Sequence, residues 1–284
     1  MKKIIVRTIT GLLFVAVLIG AITWNKYSVA GLFYFISILG LYEFFKLMEK
    51  AGFSPKKSIA TLIGSIIYII ITLYSFQEFS FKFLLFIFPL LVFLVVFELF
   101  RENDTPISNI AFSIMGILYV IIPFSILNFF AYQSPYNKII EIQEDQHQYW
   151  LLLGFFVLQW SYDSGAYTFG SLFGKNKLFR RISPNKTWEG AIGGLILAIL
   201  TGYLISFFTN SSHIHWMNIA LLIVVFGTLG DLTESQIKRS CGVKDSGNIL
   251  PGHGGILDRF DGVLFSAPFV LAYLHFFDLF NIQI

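Results

Sequence analysis

Long apolar runs broken by short polar punctuation dominate the chain, and their spacing predicts helices that cross a membrane. A span needs about 20 predominantly apolar residues. Nine stretches qualify, at approximately 8–24, 28–48, 59–76, 81–99, 108–131, 150–170, 189–210, 216–236 and 262–282. The sixth is the most polar, because it ends in QWSYDSGAY. The pattern predicts an all-α polytopic bundle: an N-terminal region of five spans (1–131), then a C-terminal region (150–284) with polar connections at 171–188 and 237–261. The N-terminus begins like a secretory signal, yet its apolar run is long and no small-residue cleavage site follows, so it reads as a retained first span.

Composition supports this reading: 56% of residues are hydrophobic, 18% aromatic and only 13% charged, outside the range of soluble domains. The distribution of charge sets the orientation. With the N-terminus in the cytoplasm, Lys26, Lys82 and Lys138 alone fall outside, leaving 17 of the 20 Lys and Arg residues inside. Both longer polar connections then face the cytoplasm. The acidic outer connection EIQEDQHQ reads as solvated chain. The single Cys241 excludes an internal disulfide.

Two polar constellations carry candidate chemistry. In the first, from Tyr162 to Gly194, Asp163 sits in an otherwise apolar span, where a carboxylate is costly enough to suggest function. SPNKTWEG follows, and its Ser183, Lys186 and Thr187 combine a cation with hydroxyl groups just before a helix start, a plausible phosphate cradle. Lys175 and Lys177 read more simply as a topology anchor. The second constellation opens with GDLTESQIKRS. On a helix, Asp231, Glu234 and Lys238 share a face, and Glu234 with Lys238 could equally be an ion pair. It continues through KRSCGVKDSGNILPGHGGILDRFDG. Lys238, Arg239, Lys244 and Arg259 suit phosphate oxygens, whereas Asp245, Asp258 and Asp261 are hard donors suited to Mg²⁺. His253, between glycines, could bind phosphate or move a proton, or be a satisfied loop histidine. The glycines permit close backbone approach to a ligand. Zinc motifs, a Walker loop and a nucleophile elbow are absent from the sequence.

From Ser235 to Asp261 the sequence resembles the C-terminal motif of phosphatidate cytidylyltransferases, and GDLTES, SPNKTWEG and YDSGAY extend the resemblance upstream. One position departs: Asn185 stands where the family usually has a lysine. The resemblance implies that CTP and phosphatidate react to give CDP-diacylglycerol and pyrophosphate. It further implies a requirement for Mg²⁺, with K⁺ as a second ion, and Asp231, Asp258 and Asp261 as metal ligands. Lys186, Lys238, Arg239, Lys244 and Arg259 would serve the phosphates, assisted by Ser183 and Thr187. A homodimer in the membrane, among lipids and without a nucleic-acid partner, is the expected setting. Another lipid acceptor, such as a polyprenol, and a transporter are the alternatives. Charge concentrated at the cytoplasmic ends of the spans, rather than near mid-membrane, disfavours transport.

Overall fold

A computed structural model of the chain describes residues 2–102, 104–132 and 149–280. The predicted outer connection around EIQEDQHQ lies outside the described residues. The helices follow the apolar runs: α1 (Lys2–Trp24), α2 (Lys26–Lys50), α3 (Lys57–Ser75), α4 (Ile87–Leu99, led in by a 3₁₀ turn Phe81–Phe86), then α5 (Pro106–Gly116) and α6 (Ile122–Tyr132), joined by a π-turn at Ile117–Ile121. Beyond residue 148 come α7 (Tyr149–Phe173), α8 (Trp188–Phe208), α9 (His213–Ser240) and α10 (Leu257–Phe280). Among the described residues, seven helical stretches are long and apolar enough to cross a membrane. The helices at the predicted spans 150–170 and 262–282 are not among them. The helix at 150–170 carries Gln159, Ser161 and Asp163, whose polarity lowers its hydropathy.

One feature departs from an all-helical reading. The connection predicted at 171–188 contains an antiparallel hairpin, β1 (Lys177–Phe179) and β2 (Ser183–Thr187), with Lys177 opposite Thr187 and Phe179 opposite Ser183.

The chain divides into two compact units, 1–129 with 237–260, and 130–236 with 261–284. In the first, the core is aromatic: Phe33 stacks on Phe124 at 6.2 Å, and Phe260 meets Phe124 and Phe14 edge-on at 5.0 and 5.6 Å. Polar groups in its helices are satisfied by one another, as lipid cannot hydrogen-bond them. The Asn128 side-chain amide donates to Tyr68 Oη and Thr72 Oγ1, each at 3.1 Å, and Tyr68 donates to the Ala30 carbonyl at 2.8 Å. Asn25 caps α2 in a reciprocal box with Ser28, which meets two of the amides a helix start leaves open.

In the second unit small residues bring helices together, the usual means of close approach in membranes. Gly165 of α7 lies so near Gly194 of α8 that a Cβ there would sit 2.9 Å from the Gly194 Cα. Trp216, fully buried, packs over Gly154, and its indole donates to Ser211 at 2.7 Å. Phe226 of α9 stacks on Phe269 of α10 with centroids 3.4 Å apart.

Candidate active site

In the first unit the glycine-rich connection folds around one carboxylate. Asp258 sits in the first turn of α10, where an acid meets the open amides and positive dipole end of the helix. Its Oδ2 accepts from the Gly255 amide at 2.8 Å, the Ser246 amide at 3.0 Å and Ser246 Oγ at 2.9 Å. Its Oδ1 accepts from Lys238 Nζ at 2.6 Å, with both side chains nearly buried. Burial pushes this carboxyl up, but the Lys238 ammonium and the Gly255 and Ser246 donors outweigh it and hold Asp258 below the usual carboxylate range. The chain can close this tightly because Gly252 and Gly254 take left-handed backbone (φ +77° and +86°), a region that costs most L-residues. At Gly255 any Cβ would collide with Ser246 Oγ.

A second acid supports the same turn. Glu43, on α2 and 2% exposed, accepts from Ser246 Oγ at 3.2 Å and from the Leu257 amide at 3.1 Å. Sequence reasoning missed it, although a solitary acid in the apolar run LYEFF is a signal of the kind that marked Asp163. Arg259 reaches back through Nε and Nη2 to the His253 carbonyl at 2.9 and 2.8 Å, which fixes the loop tip. The His253 ring lies against Gly11 of α1, and its Nδ1 is buried with no hydrogen-bond partner among the described residues. Burial, then the charges of Arg259 and Arg7, push the imidazole down against the weaker pull of the Pro251 carbonyl, so it is neutral near pH 7. Arg239 donates to the Val243 carbonyl at 3.1 Å. Lys244 and Asp245 are exposed.

The second unit gathers carboxylates. Lys186, on β2, forms an ion pair with Asp231 of α9, joining two residues that sequence reasoning placed in separate constellations. Ser235 Oγ donates to Asp231 at 3.3 Å. Asp261 of α10 feels the negative charges of Asp231, Glu234 and Asp163, and Gly230 lets the α10 backbone at Asp261 press directly against α9. Asp163 accepts from Gln159 Nε2, one turn back on α7, at 3.3 Å. Glu234 is 1% exposed.

The hairpin is held by a capping arrangement. Thr187 caps α8, its hydroxyl accepting from the Gly190 amide at 3.2 Å. Glu189, which sequence reasoning left out, accepts from the Lys175 and Asn176 amides at 3.1 Å and from the Asn176 side chain at 2.7 Å. Lys186 is thereby fixed in position for Asp231. Ser183 opens β2 opposite Phe179.

Among the described residues no three His, Cys, Asp or Glu side chains converge on one point suited to an ion. The donor chemistry in the second unit nevertheless fits a hard cation. Asp163, Asp231, Glu234 and Asp261 offer only carboxylate oxygen, and Mg²⁺ takes one or two carboxylates together with substrate phosphate rather than a complete protein cage.

The model of the cytidylyltransferase family matches residues 5–277. A phosphatidate cytidylyltransferase of Bacillus subtilis is 35% identical over 95% of this chain and 97% of its own length. Those of Staphylococcus haemolyticus and Haemophilus influenzae are 42% and 46% identical, over 62% and 47% of this chain. These two alignments span 63% and 48% of the relatives' lengths. Matched along almost its whole length by the family and by the Bacillus relative, the chain belongs to the cytidylyltransferase family.

Proposed function

We propose that the protein transfers the cytidylyl group of CTP to phosphatidate, forming CDP-diacylglycerol and pyrophosphate for phospholipid synthesis. The observation that carries this reading is the end-to-end match to the Bacillus relative. The reaction takes place at the cytoplasmic face of a multi-pass membrane protein, where the positive-inside distribution of Lys and Arg puts both polar connections.

The phosphate of phosphatidate, largely dianionic near neutral pH, attacks the α-phosphorus of CTP. The new P–O bond forms as the bond to the bridging oxygen breaks, and pyrophosphate leaves with that electron pair. No strong base is needed, because the second ionisation of such a phosphate lies near pH 6. The protein's task is to bring two polyanions into line and offset their repulsion. Lys238, Arg239, Lys244 and Arg259 in the first unit and Lys186 in the second supply fixed cations for phosphate oxygens, and Ser183 and Thr187 support the hairpin that carries Lys186. The neutral His253 offers a hydrogen bond to a phosphate oxygen. Asp258 orients Lys238 and the loop amides.

Asp231 and Asp261, with Asp163 and Glu234 close by in charge, would hold Mg²⁺. When bound, that ion would neutralise developing charge on the polyphosphate, and K⁺ is the expected second ion. The lipid substrate accounts for the helices, since acyl chains can stay in the bilayer while the head group reaches the loops.

The test is direct. Protein purified in detergent, given phosphatidate, Mg²⁺ and CTP labelled at its α-phosphate, should form labelled CDP-lipid. A folded sample that forms none would overturn the reading.

A further inference from the structure

One face of α1 changes character within three turns. Arg7, Gly11, Phe14 and Leu18 fall at i, i+4, i+7 and i+11, so they lie along the same side of the helix. Each meets the glycine-rich loop or what lies beneath it. Arg7 backs onto Gly252, with its Cα 3.5 Å from where a Cβ on that glycine would stand, and Gly11 faces the His253 ring at 3.3 Å by the same measure. Phe14 and Leu18 then line a cavity of about 370 Å³, within the usual range of ligand pockets, about 300–1,000 Å³.

Every residue lining that cavity is apolar. From α2 it is lined chiefly by Leu32, Ile36 and Leu39, and from the loop by Leu250 and Ile256. Those last two flank the Pro251–Gly255 turn, so the loop that carries His253 also lines the apolar space. Val17 and Phe35, also in the lining, are 49% and 62% exposed, which leaves the cavity open toward the bilayer.

We infer that this groove between α1 and α2 seats an acyl chain of phosphatidate, with the phosphomonoester head group at Arg7, His253 and Arg259. The inference rests on the proposed function and deepens it by giving the lipid a subsite within the N-terminal helices. Two observations select this occupant over an ordinary bilayer lipid. Arg259 bonds the His253 carbonyl and Arg7 backs onto Gly252, which brings two cations to the loop tip and suits a doubly charged phosphate better than a zwitterionic or neutral head. The buried Nδ1 of His253 makes no hydrogen bond among the described residues, which leaves that atom open to a ligand. Lipid tails are as apolar as leucine, so moving a chain from bilayer to groove gains little hydrophobic energy. The groove therefore aligns the lipid, and selection follows chain length and shape.

Two measurements test this. In the first, phosphatidate carrying a diazirine midway along one acyl chain is photolysed with the detergent-purified protein, without CTP. Label should fall on peptides of α1 and α2 spanning Phe14–Leu39, and unlabelled phosphatidate should compete while phosphatidylcholine of the same chains does not. Label elsewhere, or equal competition by phosphatidylcholine, would overturn the inference. In the second, Val17→Trp fills the groove from its open side. It should lower kcat/KM for dipalmitoyl phosphatidate about tenfold, while the value for dihexanoyl phosphatidate and the KM for CTP stay within about twofold of wild type. An equal loss for both lipids in a folded variant would also overturn it. Leu32→Trp is the second variant should Val17→Trp not fold. A wild-type protein that forms no CDP-lipid but still cross-links selectively would overturn the proposed reaction and leave the lipid groove standing.

Discussion

The two polar regions treat charge in opposite ways. In the 237–260 connection, Asp258 is surrounded by Lys238 and by the Ser246 and Gly255 donors, and Glu43 holds the loop from α2. Opposite charges and donors meet there, and the turn is self-sufficient. Around Asp261, burial and then the like charges of Asp231, Glu234 and Asp163 raise the cost of its ionisation. Lys186 bonds one of them, Asp231. The first region is built to hold a shape, whereas the second gathers carboxylates whose mutual repulsion a bound cation would relieve. Strongly perturbed groups of the second kind are characteristic of functional sites.

Substitution should separate the two. The largest effect is expected at the second region: Asp261→Asn and Asp231→Asn should each cut CDP-lipid formation by about 10²–10³, with the melting temperature unchanged or raised because repulsion is removed. A folded Asp261→Asn protein with a near-normal rate would remove that residue from the site. Next in size, Lys238→Met should destabilise the protein by about 3 kcal/mol, because it leaves Asp258 charged and nearly buried without its partner. Denaturant titration would measure this, and Lys238→Met combined with Asp258→Asn should recover part of it.

Glu43→Gln should cost about 1–2 kcal/mol, with faster amide exchange at Ser246 and Leu257 and little change in the second region. The smallest effect concerns pH. The carboxyl of Asp258 is depressed, so its contribution is fully present above the ordinary carboxylate value near 4 and disappears as pH falls through its lower folded value. Wild-type stability should therefore drop more steeply below about pH 4 than that of Asp258→Asn, as followed by melting temperature against pH. Parallel profiles would contradict the Lys238–Asp258 description.

Much of this was legible in the sequence, and the boundary has a physical cause. Among the described residues, seven helical stretches long and apolar enough to cross a membrane fall on predicted apolar runs, because lipid forces each span to satisfy its own backbone. The motif residues were legible because charges in an apolar chain are conspicuous. The β1–β2 hairpin was not, since strands of three and five residues carry no readable alternation. Glu43 escaped notice because its partners lie 203 and 214 residues away in sequence, and no local pattern encodes such a contact. The pairing of Lys186 with Asp231 links two motifs that were readable separately but not together. Asp258 was visible as a carboxylate spaced three residues from Asp261. What could not be read is that a serine and a glycine amide already occupy it.

The most direct measurement is the thermal stability of detergent-purified protein with CTP and Mg²⁺ but no lipid, so that binding is seen without chemistry. Because a ligand that binds only the folded state raises stability, wild type should melt higher with CTP and Mg²⁺ together than with either alone. Asp261→Asn should lose that increment. An equal increment in both proteins would contradict the assignment of the second region's carboxylates to the metal–nucleotide site.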